Sequence, residues 1–242
     1  MKLRSCLSVL TLLTGLLVNV TGFAADPSPP QVELETNVGV IVLELYPEAA
    51  PKTVKNFLDY VKAGYYNGTI FHRVIDNFMI QGGGMGEDLK DKKRNAPVPL
   101  EAQRALEHGL KNEIGTIAMA RNSKPDSADS EFFINVANND FLDTQKIPDG
   151  DPVQLTRQGV TKTLPRAQAL LFTAGYTPFG RVIDGMNVVN QIKVVPTDAV
   201  GQNQNLPRKP IVILSARVLK KPLTPKTVEQ QLSRPAEPAQ TN

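Results

Sequence analysis

The chain has 242 residues, 41% of them hydrophobic, and a formal net charge of +3. This length allows one substantial core with extensions, and the scattered basic residues argue against nucleic acid as a partner. The single cysteine is Cys6, and the two histidines, His72 and His108, lie far apart in the sequence. We therefore expect no metal site.

Residues 1–24 have the features of a secretory signal peptide. Lys2 and Arg4 precede an apolar run over residues 7–20, and cleavage is expected after Ala24 or Ala25. The run is short for a membrane span, so we expect no stable membrane insertion after cleavage; an uncleaved anchor is the alternative. Cleavage would remove Cys6, which excludes disulfide and thiol chemistry in the mature chain.

A linker is predicted over residues 25–31, and a domain over residues 32–220. The domain begins with a hairpin, because the apolar segments 32–35 and 40–45 flank an Asn-Val-Gly turn. Pro51, helically spaced apolar residues and Gly64 predict a helix over residues 51–63. The remaining patterns predict strands at 70–75, 78–81, 115–119, 132–136, 179–182 and 211–218, and a second helix at 186–192. Together these elements predict a mainly β fold, a closed eight-stranded antiparallel barrel capped by two helices.

Two segments depart from this pattern. Residues 144–174 are rich in proline and glycine and show helical periodicity only near 167–172, so we predict an insertion loop. Residues 221–242 are polar and carry four prolines. This composition predicts a disordered tail.

Four motifs carry the candidate chemistry. In chain order they are FHRVIDNFMIQGGG at 71–84, GTIAMAR at 115–121 with DSADSEFFIN at 126–135, FLD at 141–143 and YTPFGRVIDGM at 176–186. An arginine and an amide beside a Phe-Met pair suit the binding of an apolar ring next to a peptide group. The glycine run lacks the Gly-Lys-Ser/Thr of a phosphate loop, and the acidic residues lie in polar loops without the environment that a glycosidase pair needs.

The four motifs, in this order, resemble those of the cyclophilins, which are peptidyl-prolyl cis-trans isomerases, over about residues 32–219. The signal sequence and Phe141 make the chain most similar to the periplasmic cyclophilin of Gram-negative bacteria. The resemblance implies a periplasmic, monomeric and cofactor-free enzyme that acts on proline-containing polypeptides. Such an enzyme would accelerate Xaa-Pro isomerisation while exported proteins fold.

The resemblance also implies site roles. Arg73 would donate a hydrogen bond to the proline nitrogen as the amide twists, an interaction nearly absent from the planar ground state. Gln81 would contact the substrate carbonyl as the second catalytic residue. The substrate-binding residues implied are Phe78, Met79, Ala120, Arg121, Glu131, Phe133, Phe141, Leu142 and Tyr176. Phe132, which alternates with Phe133, is expected in the core.

Three residues need separate interpretation. Glu131 stands where the family has glutamine; we expect it to pair with Arg73 or Arg121, and Glu131→Gln to preserve or raise activity. Phe141 stands where drug-sensitive cyclophilins have tryptophan, so weak cyclosporin binding is expected. His72 is interpreted as a hydrogen-bonded structural residue.

A second class of function remains open. The insertion interrupts the chain between Leu142 and Tyr176, both of which are groove positions by resemblance. It could form a lid, dock a partner or extend into solvent. The alternative to the enzyme is therefore a binding or chaperone module on a cyclophilin scaffold, with weak or no turnover.

Overall fold

The computed structural model describes residues 28–157 and 159–223. The predicted signal peptide, the first residues of the predicted linker and the predicted tail from residue 224 onward lie outside this range. Within it, no helix is long and apolar enough to cross a membrane.

The described residues form twelve strands and four α-helices. The strands are β1 (Gln31–Thr36), β2 (Gly39–Leu45), β3 (Thr69–Ile75), β4 (Met79–Gly86), β5 (Thr116–Met119), β6 (Phe132–Asn135), β7 (Val153–Arg157), β8 (Val160–Leu164), β9 (Pro178–Asp184), β10 (Thr197–Val200), β11 (Asn203–Pro207) and β12 (Val212–Val218). The helices are α1 (Pro51–Lys62), α2 (Ala102–Glu107), α3 (Arg166–Thr173) and α4 (Met186–Lys193).

Eight strands close an antiparallel barrel in the order β1-β12-β3-β4-β6-β5-β9-β2, with β2 pairing back to β1. These are the eight strands predicted from the sequence, so the fold class is confirmed. The barrel begins at Gln31, one residue before the predicted domain boundary. The Gln31 side chain is buried and bonds both Glu44 and the backbone of Leu223, which ties the two ends of the described chain together.

The barrel interior is filled by interlocking aromatic rings and covered on one side by α1. Phe57 of α1 packs edge-on against Phe132 with ring centroids 5.7 Å apart, and at 5.2 Å from Phe179. Such edge-to-face pairs stabilise beyond the area that they bury. The helix ends as predicted, with Gly64 in the left-handed region at φ 64°.

The prediction of two helices was incomplete. Helix α2 was not predicted because its six residues are too few to show a clear period. The start of α2 is nevertheless fixed against the N-terminus of α1. The buried carboxylate of Glu101, just before α2, accepts hydrogen bonds from the backbone N–H groups of Lys52 and Thr53, and so caps the N-terminus of α1.

The insertion is folded rather than a loop. Strands β7 and β8 form a hairpin, and α3 packs on β7 through a small core of Val153, Leu155 and Ala169. The ends of the insertion meet at its base, because both Thr144 Oγ1 and Gln145 N donate to the carbonyl of Thr173. The helix occupies the periodic stretch near 167–172, but the hairpin was not predicted.

Candidate active site

Strand register brings the central site residues into one row. Arg73 on β3 is opposite Gln81 on β4, Gln81 is opposite Phe133 on β6, and Phe133 is opposite Ala118 on β5. Four adjacent strands of the barrel wall therefore present a cation, an amide and an aromatic ring side by side.

Alternation and a register shift direct these side chains away from the barrel core. Phe132 is fully buried in the core, whereas Phe133 belongs to a separate cluster with Met79 and Leu142, as expected. On β3, the register shifts between Phe71 and Arg73. An irregularity of this kind re-aims side chains, so Phe71 lies in the core while Arg73, two residues later, faces the pocket.

The separate cluster borders a pocket of about 260 Å³. Its lining residues are Arg73, Phe78, Met79, Gln81, Ala120, Arg121, Phe133, Leu142 and Tyr176. Another cavity, of about 320 Å³, lies around Tyr46, His108 and Arg181 and contains none of the predicted site residues.

One wall of the pocket is a stacked pair of rings. Phe78 and Phe141 lie 5.7 Å apart between centroids with planes inclined by 25°. Asn139 fixes this wall, since its Nδ2 donates to the Phe78 carbonyl at 2.8 Å. Arg157 in the insertion donates to the carbonyl of Phe141 and, at 2.5 Å, to that of Phe172. The wall is therefore held from both sides.

The opposite wall is built on the chain that returns from the insertion. Tyr176 meets Phe133 edge-on at 5.8 Å, and its backbone N–H donates to the Leu142 carbonyl at 2.9 Å. The Arg121 guanidinium lies 4.5 Å from the centroid of the Tyr176 ring and donates twice to the Gly175 carbonyl, at 2.9 and 2.8 Å. Arg121 thus contributes its side chain to this wall.

The expected pairing of Glu131 with Arg73 or Arg121 was wrong. Glu131 Oε1 lies 2.7 Å from Arg94 Nη2, and Glu131 Oε2 accepts from Gln81 Nε2 at 2.8 Å. Gln81 Oε1 in turn accepts from Arg73 Nη1 at 3.3 Å. The motifs gave no reason to consider Arg94, because it lies on an irregular segment outside all four of them.

His72 lies behind the site rather than in it. Its side chain is buried, Nδ1 has no hydrogen-bond partner, and Nε2 is 3.7 Å from Glu131 Oε2. The expectation of a hydrogen-bonded side chain is therefore wrong, because Nδ1 has no partner and Nε2 is too far from Glu131 Oε2 for a hydrogen bond. Burial lowers the pKa of His72, and the nearby Glu131 carboxylate only partly opposes that shift. Over residues 28–157 and 159–223, no three His, Asp or Glu side chains gather as metal ligands would.

Nine of the eleven predicted site residues line this pocket. Of the other two, Phe141 backs the ring of Phe78, and Glu131 binds Gln81 from behind. Sequence reasoning missed the supporting residues Arg94, Asn139 and Arg157. Asn139 is two residues from the FLD motif, which could have suggested it, but no local signal marks the other two.

Comparison with known proteins agrees with this geometry. The profile of the family "Cyclophilin type peptidyl-prolyl cis-trans isomerase/CLD" matches residues 31–218. The chain belongs to the cyclophilin family. Among bacterial cyclophilins, it is 45% identical over 221 residues to peptidyl-prolyl cis-trans isomerase A of Dickeya dadantii, covering 91% of this chain and 100% of the relative. It is 44% identical over 210 residues to peptidyl-prolyl cis-trans isomerase of Acinetobacter baylyi, covering 87% and 94%.

A solved cyclophilin structure has the same fold. The Cryptosporidium parvum cyclophilin type peptidyl-prolyl cis-trans isomerase superimposes with a TM-score of 0.55 at 26% sequence identity. The match covers 80% of this cyclophilin and 99% of the parasite protein. The barrel common to both carries the row of site residues described above in this chain.

Proposed function

We propose that this cyclophilin is a peptidyl-prolyl cis-trans isomerase that accelerates Xaa-Pro isomerisation in exported polypeptides. One observation carries the proposal. The Arg73 side chain stands at an apolar pocket formed by Phe78, Met79 and Phe133, with room for a ring beside a guanidinium. The names of the bacterial relatives support the reaction, and a related structure was determined with the dipeptide Ala-Pro.

The reaction needs neither a nucleophile nor a proton transfer. Its barrier of about 18–20 kcal/mol arises from the amide resonance that is lost as the bond twists. Twisting makes the proline nitrogen pyramidal and able to accept a hydrogen bond. Arg73 would donate to that nitrogen while the pocket holds the ring, so its interaction favours the transition state over either planar isomer.

The contacts of Arg73 leave donors free for this role. Among the described residues it has one hydrogen-bond partner, Gln81, and no carboxylate within 4 Å. Its guanidinium carbon lies 5.9 Å from the centroid of the Phe78 ring. The side chain is therefore oriented by an amide and a ring, while most of its fork remains available to substrate.

The first experiment measures isomerisation of a short Ala-Pro peptide by the mature domain and by Arg73→Ala. We expect fast turnover by the wild type and a loss of about a hundredfold or more in the variant. Arg217→Ala is the matched control, because Arg217 forms an exposed pair with Glu33 on the barrel surface. Turnover that survives Arg73→Ala would contradict the mechanism, and an inactive wild type would contradict the function itself.

The role in export and the periplasmic location rest on the N-terminal sequence. Expression of the full chain in a Gram-negative host should yield a periplasmic protein that begins at Ala25 or Asp26. Intact-mass spectrometry of osmotic-shock extracts gives the cleavage site. A full-length protein retained in the cytoplasm would contradict the proposal.

Weak cyclosporin binding is part of the proposal. Phe141 presents no indole N–H to a ligand. Phe141→Trp should bind cyclosporin more tightly than the wild type in a calorimetric titration. Tight binding by the wild type would contradict this.

One observation favours the alternative, a binding module. Leu170 and Leu171 on α3 are 55% and 58% exposed, which would suit contact with an unfolded polypeptide. Deletion of residues 145–173 is feasible because the ends of the insertion meet. Loss of polypeptide binding, with peptide turnover reduced no more than the few fold expected from losing Arg157 alone, would identify the insertion as a docking element.

A further inference from the structure

A continuous chain of polar contacts joins Arg73 to a second arginine outside the pocket. Arg94 lies between β4 and α2, and its Nη2 is 2.7 Å from Glu131 Oε1. From Glu131 the chain continues to Gln81 Nε2 at 2.8 Å, and from Gln81 Oε1 to Arg73 Nη1 at 3.3 Å. Arg94 does not line the pocket, so it could affect the reaction only through its neighbours.

The carboxylate of Glu131 determines which way the Gln81 amide faces. An ionised carboxylate only accepts hydrogen bonds, and a guanidinium only donates them. The amide between the two must therefore turn its NH₂ group to Glu131 and its oxygen to Arg73. A neutral amide at position 131 would not impose this direction, because it can donate as well as accept.

Arg94 neutralises the Glu131 charge in a site that is mostly shielded from water. The Glu131 side chain is 18% exposed and that of Arg94 is 27% exposed. Burial alone would lower the pKa of Arg94, but the nearby carboxylates of Glu131, Asp129 and Asp91 outweigh this effect and raise it. His72 is the other neighbouring base, and burial favours its neutral form. Arg94 is therefore the cation that balances Glu131.

The backbone leaves space for this carboxylate. A Cβ atom built on Gly84 would lie 2.5 Å from both Cγ and Oε1 of Glu131. A methyl group there would have to displace the acidic side chain. Gly84→Ala should consequently disturb the same chain of contacts without changing either arginine.

We propose that Arg94 is a positioning residue for the isomerase: through Glu131 it fixes the direction of the Gln81 amide, and through Gln81 the orientation of the Arg73 guanidinium. The inference rests on the proposed function, in which Arg73 stabilises the twisted amide. Glu131 then links Arg94 to Gln81 through its two carboxylate oxygens. The family has a glutamine at this position.

The primary test compares Arg94→Met with Asp91→Asn on an Ala-Pro peptide. Met keeps most of the side-chain volume but leaves Glu131 without its cation, and we expect kcat/KM to fall about tenfold, the scale of a lost charge-assisted contact. Asp91 also binds Arg94, at 2.7 Å, but is 68% exposed and has no contact with Glu131 or Gln81 in the described structure. Asp91→Asn should stay within about twofold of the wild type.

A double variant distinguishes an effect on the orientation of the Gln81 amide from a general loss of protein stability. In the wild type, Arg94 and Gln81 bind different oxygens of Glu131. In Glu131→Gln only one of these two positions carries an oxygen, and Arg94, which can only donate, favours it; the NH₂ group then faces Gln81, which favours inversion of the Gln81 amide and loss of its acceptor for Arg73. We therefore expect this single variant to lose activity, the reverse of the expectation from sequence alone. Once Arg94→Met is added, the new amide at position 131 is free to turn its oxygen to Gln81, and the double variant should be more active than either single variant.

A structural readout accompanies the kinetics. The side-chain ¹⁵N–¹H resonances of Gln81, assigned by their absence in Gln81→Ala, should shift in Arg94→Met, Glu131→Gln and Gly84→Ala, and should shift much less in Asp91→Asn. Thermal unfolding establishes that each variant is folded at the assay temperature. If Arg94→Met does not fold, the Gln81 resonances in Gly84→Ala and in Glu131→Gln still test whether Glu131 sets the direction of the Gln81 amide.

The outcomes distinguish this inference from the proposed function. An active wild type with an inactive Arg73→Ala, but full activity in Arg94→Met and Glu131→Gln, would overturn the role of Arg94 and leave the isomerase intact. Strictly additive losses in the double variant would also overturn it. An inactive wild type would instead refute the proposed function.

Discussion

At the scale of single residues, neighbouring side chains of the same type have different tasks. Phe132 and Phe133 are adjacent on β6, yet one fills the barrel core and the other faces the pocket. Alternation along a strand makes this separation unavoidable. A substitution at either position should therefore change mainly one property, stability or activity.

This separation is testable with two alanine variants. Phe132→Ala should lower the free energy of unfolding by about 3–5 kcal/mol, because it opens a cavity among the packed rings. Phe133→Ala should cost less stability, since that ring borders an open pocket, but should reduce kcat/KM more strongly. Urea unfolding and the Ala-Pro assay measure the two effects. Equal stability losses with equal activity losses would contradict the assignment.

His72 predicts how stability depends on pH. Burial lowers its pKa from the usual 6.5, so the folded protein keeps the ring neutral where the unfolded chain would protonate it. The unfolded state then binds more protons, and stability should decrease as pH falls below about 6.5. His72→Gln removes this titration and should flatten the change in urea midpoint between pH 7.5 and 5.5. An unchanged slope in the variant would refute the prediction.

At the scale of elements, the insertion serves as a brace for the pocket. Arg157, at the end of β7, donates to the carbonyls of Phe141 and Phe172 and so joins the hairpin, α3 and the turn that carries Leu142. The hairpin was not predicted because its exposed strand β8 lacks an alternating apolar pattern. The hairpin is held in position by its packing on α3 and by the hydrogen bond from Arg157 to Phe141.

Arg157→Met should therefore weaken catalysis from outside the pocket. We expect a reduction of a few fold in kcat/KM, because the wall loses its hydrogen bond at the Phe141 carbonyl and α3 loses the one at Phe172 that ties it to the same side chain. Lys162→Met is the matched control. Both Arg157 and Lys162 lie over the Phe172 ring, at 5.5 and 5.3 Å from its centroid, but Lys162 does not bind the turn that carries Leu142. The Ala-Pro assay on both variants decides the matter. Equal reductions of kcat/KM in the two variants would contradict the role of the Arg157–Phe141 hydrogen bond and would indicate that a positive charge near Phe172 is sufficient.

At the scale of the whole molecule, closure of the barrel affects association. Each of the eight barrel strands has a partner on both sides. The barrel therefore offers no open edge for strand addition by a second copy. We expect the mature protein to sediment as a monomer at micromolar concentration. An equilibrium mass of two chains would contradict this.

The sequence alone determined the features that depend on local patterns. Periodicity identified the eight barrel strands and the helices α1 and α4, and the motifs led to the nine residues that line the pocket. These signals are readable because strand alternation, helix spacing and turn chemistry are properties of short segments.

Only the tertiary structure decided which distant groups meet. It paired Glu131 with Arg94 rather than Arg73 or Arg121, set Glu101 as the cap of α1, and folded the insertion against Phe141. A charged side chain has several candidate partners in a sequence, and global packing determines which of them lies within reach. The pocket residues could thus be predicted from the sequence, whereas the contacts that orient them required the fold.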